Sequence, residues 1–380
     1  MKSSSRLMYF TILCLVIAGL LAGCMDANLL PDINLENGNH VQERFDDGLE
    51  INLIIDYPDK SVPHIYRTGL PRLDNEVAQA FLSAIGDHSM EILHDTIEDG
   101  WHNVALRTEK GAYFAYNRSE KDIDLPGYVL SYSTPMYSDY SLAFLNYSSG
   151  RETSPLDNST LYQENREFTF CSSQEAQRHA EAILNSLGLR DIVLEETLYL
   201  DHEVMSDYLR TPEAAEAIEV YGAQVLAETG YDASYDAYFF RFTLSRDGVL
   251  ATAHTIEMAT SFVGATDITI IINASGPISV NVGMPWLFYE VEQTPNALAS
   301  PETVLREVID QEMDTLTDLP RTIDGLRLEY IPIQAGDHWI RTPAWIVSVL
   351  YEGAIVLSET ERSDEHRFYM FDAVSGERIS

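Results

Sequence analysis

Apolar residues along this chain fall into three patterns. Leu7–Leu21 is apolar almost throughout, broken only by Thr11 and Gly19. Elsewhere the spacing is either alternate, as in a half-buried strand, or close to 3.6, as along one face of a helix. Asp74 precedes a helical stretch in which Val77, Ala80, Phe81 and Ile85 share a face. Ser172-Ser173-Gln174-Glu175 forms a capping box, Ala176, Ala180, Ile183, Leu184 and Leu187 continue it as a buried stripe, and Gly188 ends it. Thr211-Pro212-Glu213 predicts a further helix to about Glu228. Ser300 and Pro301 start another, with Val304, Leu305, Val308, Ile309 and Glu312/Met313 along it. Strand-like alternation covers 50–56, 90–96, 103–108, 112–117, 128–133, 142–147, 192–200, 235–245, 252–259, 268–273, 278–292, 326–331, 344–351 and 368–372. The triplet Glu109-Lys110-Gly111 reads as a hairpin turn.

These elements predict an α+β fold of tandem modules, each a helix packed on an antiparallel β-sheet, after a cleaved signal peptide. The expected divisions are a signal peptide over 1–23, a polar tether over 24–48, an α+β segment over 49–150, a central module over 167–294 and a C-terminal module over 295–380. A flexible tether of that length spans roughly 25–30 Å r.m.s..

Leu7–Leu21 is short for a bilayer span, which needs about 20 apolar residues. With Lys2 and Arg6 before it and Ala22-Gly23 after it, the run suits the apolar core of a secretory signal. Leu21-Ala22-Gly23-Cys24 resembles the lipobox of bacterial lipoproteins. That resemblance implies cleavage before Cys24, a diacylglyceryl group on the Cys24 thiol, and a lipid-anchored protein on the extracytoplasmic face of the cell membrane. More than one acyl chain makes such an anchor firm.

Charge and cysteines narrow the partners. The formal charge is −36, from 60 acidic and 24 basic residues. Such a surface repels phosphate backbones, so no nucleic-acid partner is expected. Once Cys14 leaves with the signal and Cys24 carries lipid, Cys171 is the remaining cysteine. It is expected to be a small buried residue ahead of a helix.

Three C-terminal stretches are similar to a PepSY-type module: Leu326-Arg327-Leu328-Glu329-Tyr330, Thr342-Pro343-Ala344-Trp345-Ile346-Val347 and Phe371-Asp372-Ala373-Val374-Ser375-Gly376-Glu377. The wider arrangement resembles uncharacterised lipoproteins of Gram-positive bacteria. It also resembles two-module extracytoplasmic regulators of a cell-wall-sensing histidine kinase, although those are held by a transmembrane helix. The resemblance implies a binding or regulatory role, with no catalytic residues and no cofactor.

The residues offer little chemistry of their own. No nucleophile elbow, His-Glu-X-X-His, Walker A, Cys-X-X-Cys or Gly-X-Gly-X-X-Gly motif occurs. Asp201-His202-Glu203 resembles a metal cluster, but on an extended strand end neighbouring side chains point to opposite faces, so no metal is expected there. His88, His94 and His102 read as surface histidines. Trp286-Leu287-Phe288-Tyr289 and Tyr238-Phe239-Phe240-Arg241-Phe242 are dense in aromatics and read as core. Tyr132, Tyr137, Tyr140 and Tyr147 surround a loop without an obvious burial pattern and are the expected binding surface. The leading expectation is a non-enzymatic lipoprotein that binds a protein or peptide partner. The alternative is a solute- or glycan-binding lipoprotein, with a carboxylate-dependent hydrolase third.

Overall fold

The structure, a computed structural model, describes residues 40–45, 48–56, 62–72, 74–87, 90–98, 100–119, 128–140, 162–163, 166–212, 214–215, 218, 230–253, 256–258, 261–263, 265–356 and 362–379. The lipobox with Cys24, most of the tether, His88, Tyr147 and most of the helix expected from Thr211 lie outside these residues.

Strands dominate. Among the described residues one hydrogen-bonded network joins 17 of them, and a small two-stranded pair stands apart. The network has two parts. In the first, every neighbour is antiparallel. Its hairpins β4 (Met90–Glu98), β5 (Trp101–Thr108), β6 (Tyr113–Ser119) and β7 (Tyr128–Ser133) follow one another in chain order. Strand β7 then pairs with β15 (Gly276–Gly283), and the sheet continues through β14 (Asp267–Asn273), β10 (Ala237–Arg246), β9 (Ile192–Leu200) and β8 (Tyr162–Gln163).

The second part is built on two long strands, β17 (Arg321–Ala335) and β18 (His338–Val356). The outer side of β17 takes β2 (Leu49–Asp56) and then β11 (Val249–Ala251), both parallel to it. The other side of β18 takes β3 (Ile65–Gly69) at its start and β19 (Arg362–Asp372) beyond. Strand β1 (His40–Arg44) adds to β2, and β16 (Leu287–Gln293) adds to β3. The two parts meet in β10. Its first residues pair with β9 and β14, and Ser245 and Arg246 pair with β11.

Four helices among the described residues cover limited patches: α1 (Asn75–Ala84), α2 (Ser173–Ser186), α3 (His202–Tyr208) and α4 (Pro301–Asp314). None is long and apolar enough to cross a membrane. Their starts follow the expected capping chemistry. Asp74 accepts from the Val77 backbone N–H at 2.9 Å, and Ser172 and Glu175 form the reciprocal box. Helix α2 packs against α1 and lies on β10 and β14, while α4 lies along β18.

This is a β-rich fold with a large mixed sheet, and it overturns the expected tandem α+β modules of a helix on an antiparallel sheet. Strand pairing ignores the expected segments. Strand β7 finds its partner in the central segment, and β2 and β3 find theirs in the C-terminal one. The strands are also longer than their alternation suggested. The register shift between Ile323 and Gly325 and the fully buried run 341–349 break a simple period of two. A strand buried on both faces shows no alternation, so local periodicity understates its length.

The main core brings together side chains of both sheet parts and of α1, α2 and α4, including Phe81, Tyr238, Phe240, Ile270, Val308 and Trp345. A smaller cluster on the opposite face of β10 contains Phe239, Ile271, Ile278, Tyr140, Met205 and Tyr208. Alternate residues of β10 thus serve two apolar layers.

One carboxylate interrupts the apolar stripe of α4. Glu312 is fully buried and accepts from the Tyr351 hydroxyl at 2.6 and 2.8 Å, from the Tyr369 hydroxyl, and from Arg321 Nη1 at 3.4 Å. Burial, reinforced by the Glu312 carboxylate, pushes the Tyr351 hydroxyl up to about 12. Such a group is tolerated only with its donors in place. We expect Glu312→Ala to cost about 3–5 kcal/mol, because it strands a buried guanidinium, and Tyr351→Phe about 1–2 kcal/mol. Urea-denaturation midpoints of the two variants measure both.

Candidate functional site

Side chains from four separated stretches converge at the turn between β17 and β18. Gly336, with φ of 69°, makes the turn and presents Asp337, His338 and Trp339. Strand β3 lies against Trp339 through Thr68, whose hydroxyl donates to the Leu287 carbonyl at 2.6 Å. The chain then leaves β3 through Leu70 and Arg72. Trp286 and Tyr289 come from the start of β16 and the residues before it, and Arg118 comes from the end of β6. Together they line a cleft of about 300 Å³. That is at the small end of the range for small-molecule sites.

Trp286 and Trp339 form the apolar wall, with ring centroids 4.8 Å apart and planes tilted by 42°. Both are almost fully buried, whereas Tyr289 is half exposed. Burial pushes the Tyr289 hydroxyl up, and Arg118 and Arg72 pull part of that shift back. The Trp286 Nε1–H is buried and has no acceptor among the described residues. His338 Nδ1 lies 3.1 Å from Asp337 Oδ1, and its Nε2 lies 3.6 Å from Glu292 Oε1.

A second constellation ties three elements together. Asp247, with φ of 54°, sits in the turn between β10 and β11. Its Oδ2 accepts from the His64 backbone N–H at 3.1 Å, the Tyr66 hydroxyl at 2.8 Å and the Tyr330 hydroxyl at 3.2 Å. His64 Nδ1 is 3.0 Å away and must carry the ring proton, since a carboxylate only accepts. In the sequence, Asp247-Gly248 reads only as a turn pair. Its donors converge on the one oxygen Oδ2, and so tie β3 and β17 to the end of β10.

Asp201, His202 and Asp236 bring ligand atoms within 4.8 Å of one another. Asp201 is extended and directly follows the end of β9, as expected, but His202 and Glu203 enter a helix and do not continue the strand. Asp201 is the N-cap of α3, which turns His202 toward the same side. Each group already has a partner. Asp201 Oδ1 accepts from the Glu203 and Val204 backbone N–H groups, and its other oxygen pairs with Arg166. His202 Nδ1 lies 2.7 Å from Asp236 Oδ1. Burial pulls the His202 imidazole down, but Asp236, Asp201 and Glu203 outweigh it and hold it above the ordinary histidine value. Among the described residues, Asp201, His202 and Asp236 are the group that could hold a metal, but helix capping and a guanidinium already occupy the Asp201 carboxylate.

The expected tyrosine surface is dispersed. Tyr132 is buried on β7, edge-on to Phe81 at 5.9 Å. Tyr140 is fully buried, donating its hydroxyl to the Tyr235 carbonyl at 2.9 Å. Tyr137 is half-buried and lines a shallow depression of about 280 Å³ beside Phe239, Thr269 and Asn281. Tyr147 lies outside the described residues. His94 and His102 sit on neighbouring strands, bonded to Thr96 at 2.8 Å and to Asp95 at 3.0 Å. Cys171 is half-buried just before α2, and burial pushes its thiol up.

The other exposed feature is β4. It pairs with β5 and with no other strand among the described residues. Its side chains are exposed on both faces, including Ile92 (65%), Leu93 (43%) and Ile97 (68%). An edge strand that is long, apolar and uncovered is a template for another strand.

The Asp247 node makes a pH-dependent contribution to stability. Burial pushes its carboxyl up, but the donors from His64, Tyr66 and Tyr330 outweigh this and hold it below the ordinary carboxylate value. A depressed folded value stabilises above the unfolded value of about 3.9 and is lost as pH falls through the folded one. Asp247→Asn is therefore expected to lower Tm near neutral pH, and the gap from the parent should close on acidification toward pH of about 3. Thermal melts of both proteins across that range check it.

A crystal structure of an uncharacterized protein from Eubacterium rectale is similar in fold, with a TM-score of 0.61 at 14% sequence identity over 90% of this chain and 93% of that one. No family model matches the chain. No curated protein matches it.

Proposed function

We propose that this chain is an extracytoplasmic lipoprotein, anchored to the cell membrane through Cys24, that binds a protein or peptide partner without catalysis. The observation that carries the partner reading is β4, whose second edge is unpaired among the described residues and whose exposed Ile92, Leu93 and Ile97 suit addition of an extended segment. Glu91, Asp95 and Glu98 on the same strand favour a partner strand that mixes apolar and basic side chains. Helix α4 followed by the antiparallel meander β17–β18–β19 supports the PepSY-like reading of the C-terminal segment. The Trp286–Trp339 cleft favours the alternative, a solute- or glycan-binding lipoprotein, because aromatic walls with a few polar groups are the usual make-up of small-ligand sites.

Two measurements test this reading. Cys24→Ala is expected to move the protein from the membrane fraction to the soluble extracytoplasmic fraction, and retention in the membrane would reject the lipid anchor. A photo-crosslinking side chain at Ile97 is expected to give a discrete adduct in intact cells, lost on adding Ile92→Lys. The same side chain at Lys110, in the β5–β6 turn, serves as the control. Equal adducts at both positions would reject β4 as the docking edge.

A further inference from the structure

We propose that the depression over β7, β15 and β14 is a binding site for one neutral sugar ring. Strands β5 and β6 separate it from the β4 edge, so it is independent of the partner strand. Its floor follows from strand alternation. One set of side chains on these strands, including Leu130, Ile270, Val280 and Val282, enters the main core. The other set faces away from that core, and there small polar groups stand opposite one another. Ser131 lies beside Asn281, and Asn281 beside Thr269. Two residues along β15 from Asn281, Ser279 is opposite Ile271, which is in turn opposite Phe239. Tyr137, from the short turn Pro135–Tyr140 that follows β7, joins these residues in lining a cavity of about 280 Å³.

The polar groups of this floor are unspent. Ser279 is only 4% exposed, yet its hydroxyl makes no hydrogen bond to the rest of the protein. Thr269 and Asn281, both half-buried, make no side-chain hydrogen bond either. Polar groups so far withdrawn from water are normally bonded within the fold. None of the three is among the sealed polar atoms of the described residues, so each still opens onto the cavity. Hydroxyl and amide side chains both donate and accept. A sugar hydroxyl does the same, so ring hydroxyls match this floor in either direction. Facing strands hold their side chains about 5 Å apart, within reach of the hydroxyls of one ring. The volume lies just below the usual small-molecule range, which suits a single ring. Tyr137, Phe239 and Ile271 give the ring carbons an apolar surface. Charge favours a neutral ligand. The lining carries one carboxylate, Asp267, which already lies 3.9 Å from Arg241 Nε, and no cation lines the cavity to receive an anion. A wholly apolar ligand would cover Ser279 and Asn281 and leave them unbonded, which is unfavourable.

Titration of the full chain with glucose and with N-acetylglucosamine, by calorimetry and by the Asn281 side-chain amide resonances, tests the site. Those resonances are assigned by their loss in Asn281→Val. At least one of the two neutral sugars is expected to bind saturably and shift them. Glucose suffices if hydroxyls alone are read, and N-acetylglucosamine is preferred if an acetamido group is read as well. Glucuronate, which adds a charge, and N-methylacetamide, which stands in for a peptide group, should not compete. Ser279→Ala and Thr269→Val each remove a hydroxyl that the fold leaves unbonded. Both are expected to keep the parent's Tm and to raise Kd about threefold to tenfold. No saturable binding by either neutral sugar, equal binding of glucuronate or N-methylacetamide, or an unchanged Kd in both variants would overturn the assignment.

Discussion

The architecture depends on β10 being shared. Its first residues supply ladder bonds to β9 and β14, and its last two turn away to pair with β11, which runs beside β17. Its side chains also divide between two apolar layers, with Tyr238, Phe240 and Phe242 in one and Phe239 in the other. The sheet can pass from one part to the other without leaving buried backbone groups unpaired, which would cost more than the bend. Asp247 sits at the end of this strand, and its bonds to His64, Tyr66 and Tyr330 fix β3 and β17 against it. The position of β3 in turn sets one wall of the tryptophan cleft.

Helix starts were legible because their signals are local. Asp74, Ser172 and Ser300 cap where their hydroxyl or carboxylate chemistry says they should. The strands β5, β6 and β7 were legible as well, being half-buried, with β5 and β6 joined by a short turn. The architecture was not. Nothing near Tyr128–Ser133 indicates that its second edge belongs to Gly276–Gly283, and nothing near Leu49 points to Arg321. Alternation tells which face a residue occupies, not which strand lies alongside. Tandem modules were the reading that needed the fewest distant pairings, and the chain uses distant pairings throughout.

The cleft was partly visible. Trp286-Leu287-Phe288-Tyr289 stood out as an aromatic cluster, and two of its rings do line the site. Arg72, Arg118 and His338 are separated from it by long stretches and became neighbours only through pairing. The tyrosines at 132, 137 and 140 misled for the opposite reason. Their loop looked uncovered, but Tyr231, Tyr235 and α3 pack on it, with the Tyr231 hydroxyl bonded to the Asp139 carbonyl at 2.7 Å. Covering segments distant in sequence can bury a polar-looking loop that no local pattern marks as buried.

The parallel pairing of β2 with β17 bears on how the chain matures. Leu49 lies beside Arg321, so a strand near the beginning of the fold cannot complete its ladder until a strand near its end has emerged. Contacts of such sequence separation close late, because the loop between them must be ordered first. A chain made from its N-terminus therefore holds β2 open, with Leu49, Ile51 and Leu53 unburied, while more than half of its length is still to be made. In the finished fold those three residues are almost fully buried. Protecting that interval is a task for the folding machinery, and it makes late truncations more damaging than their distance from the N-terminus suggests.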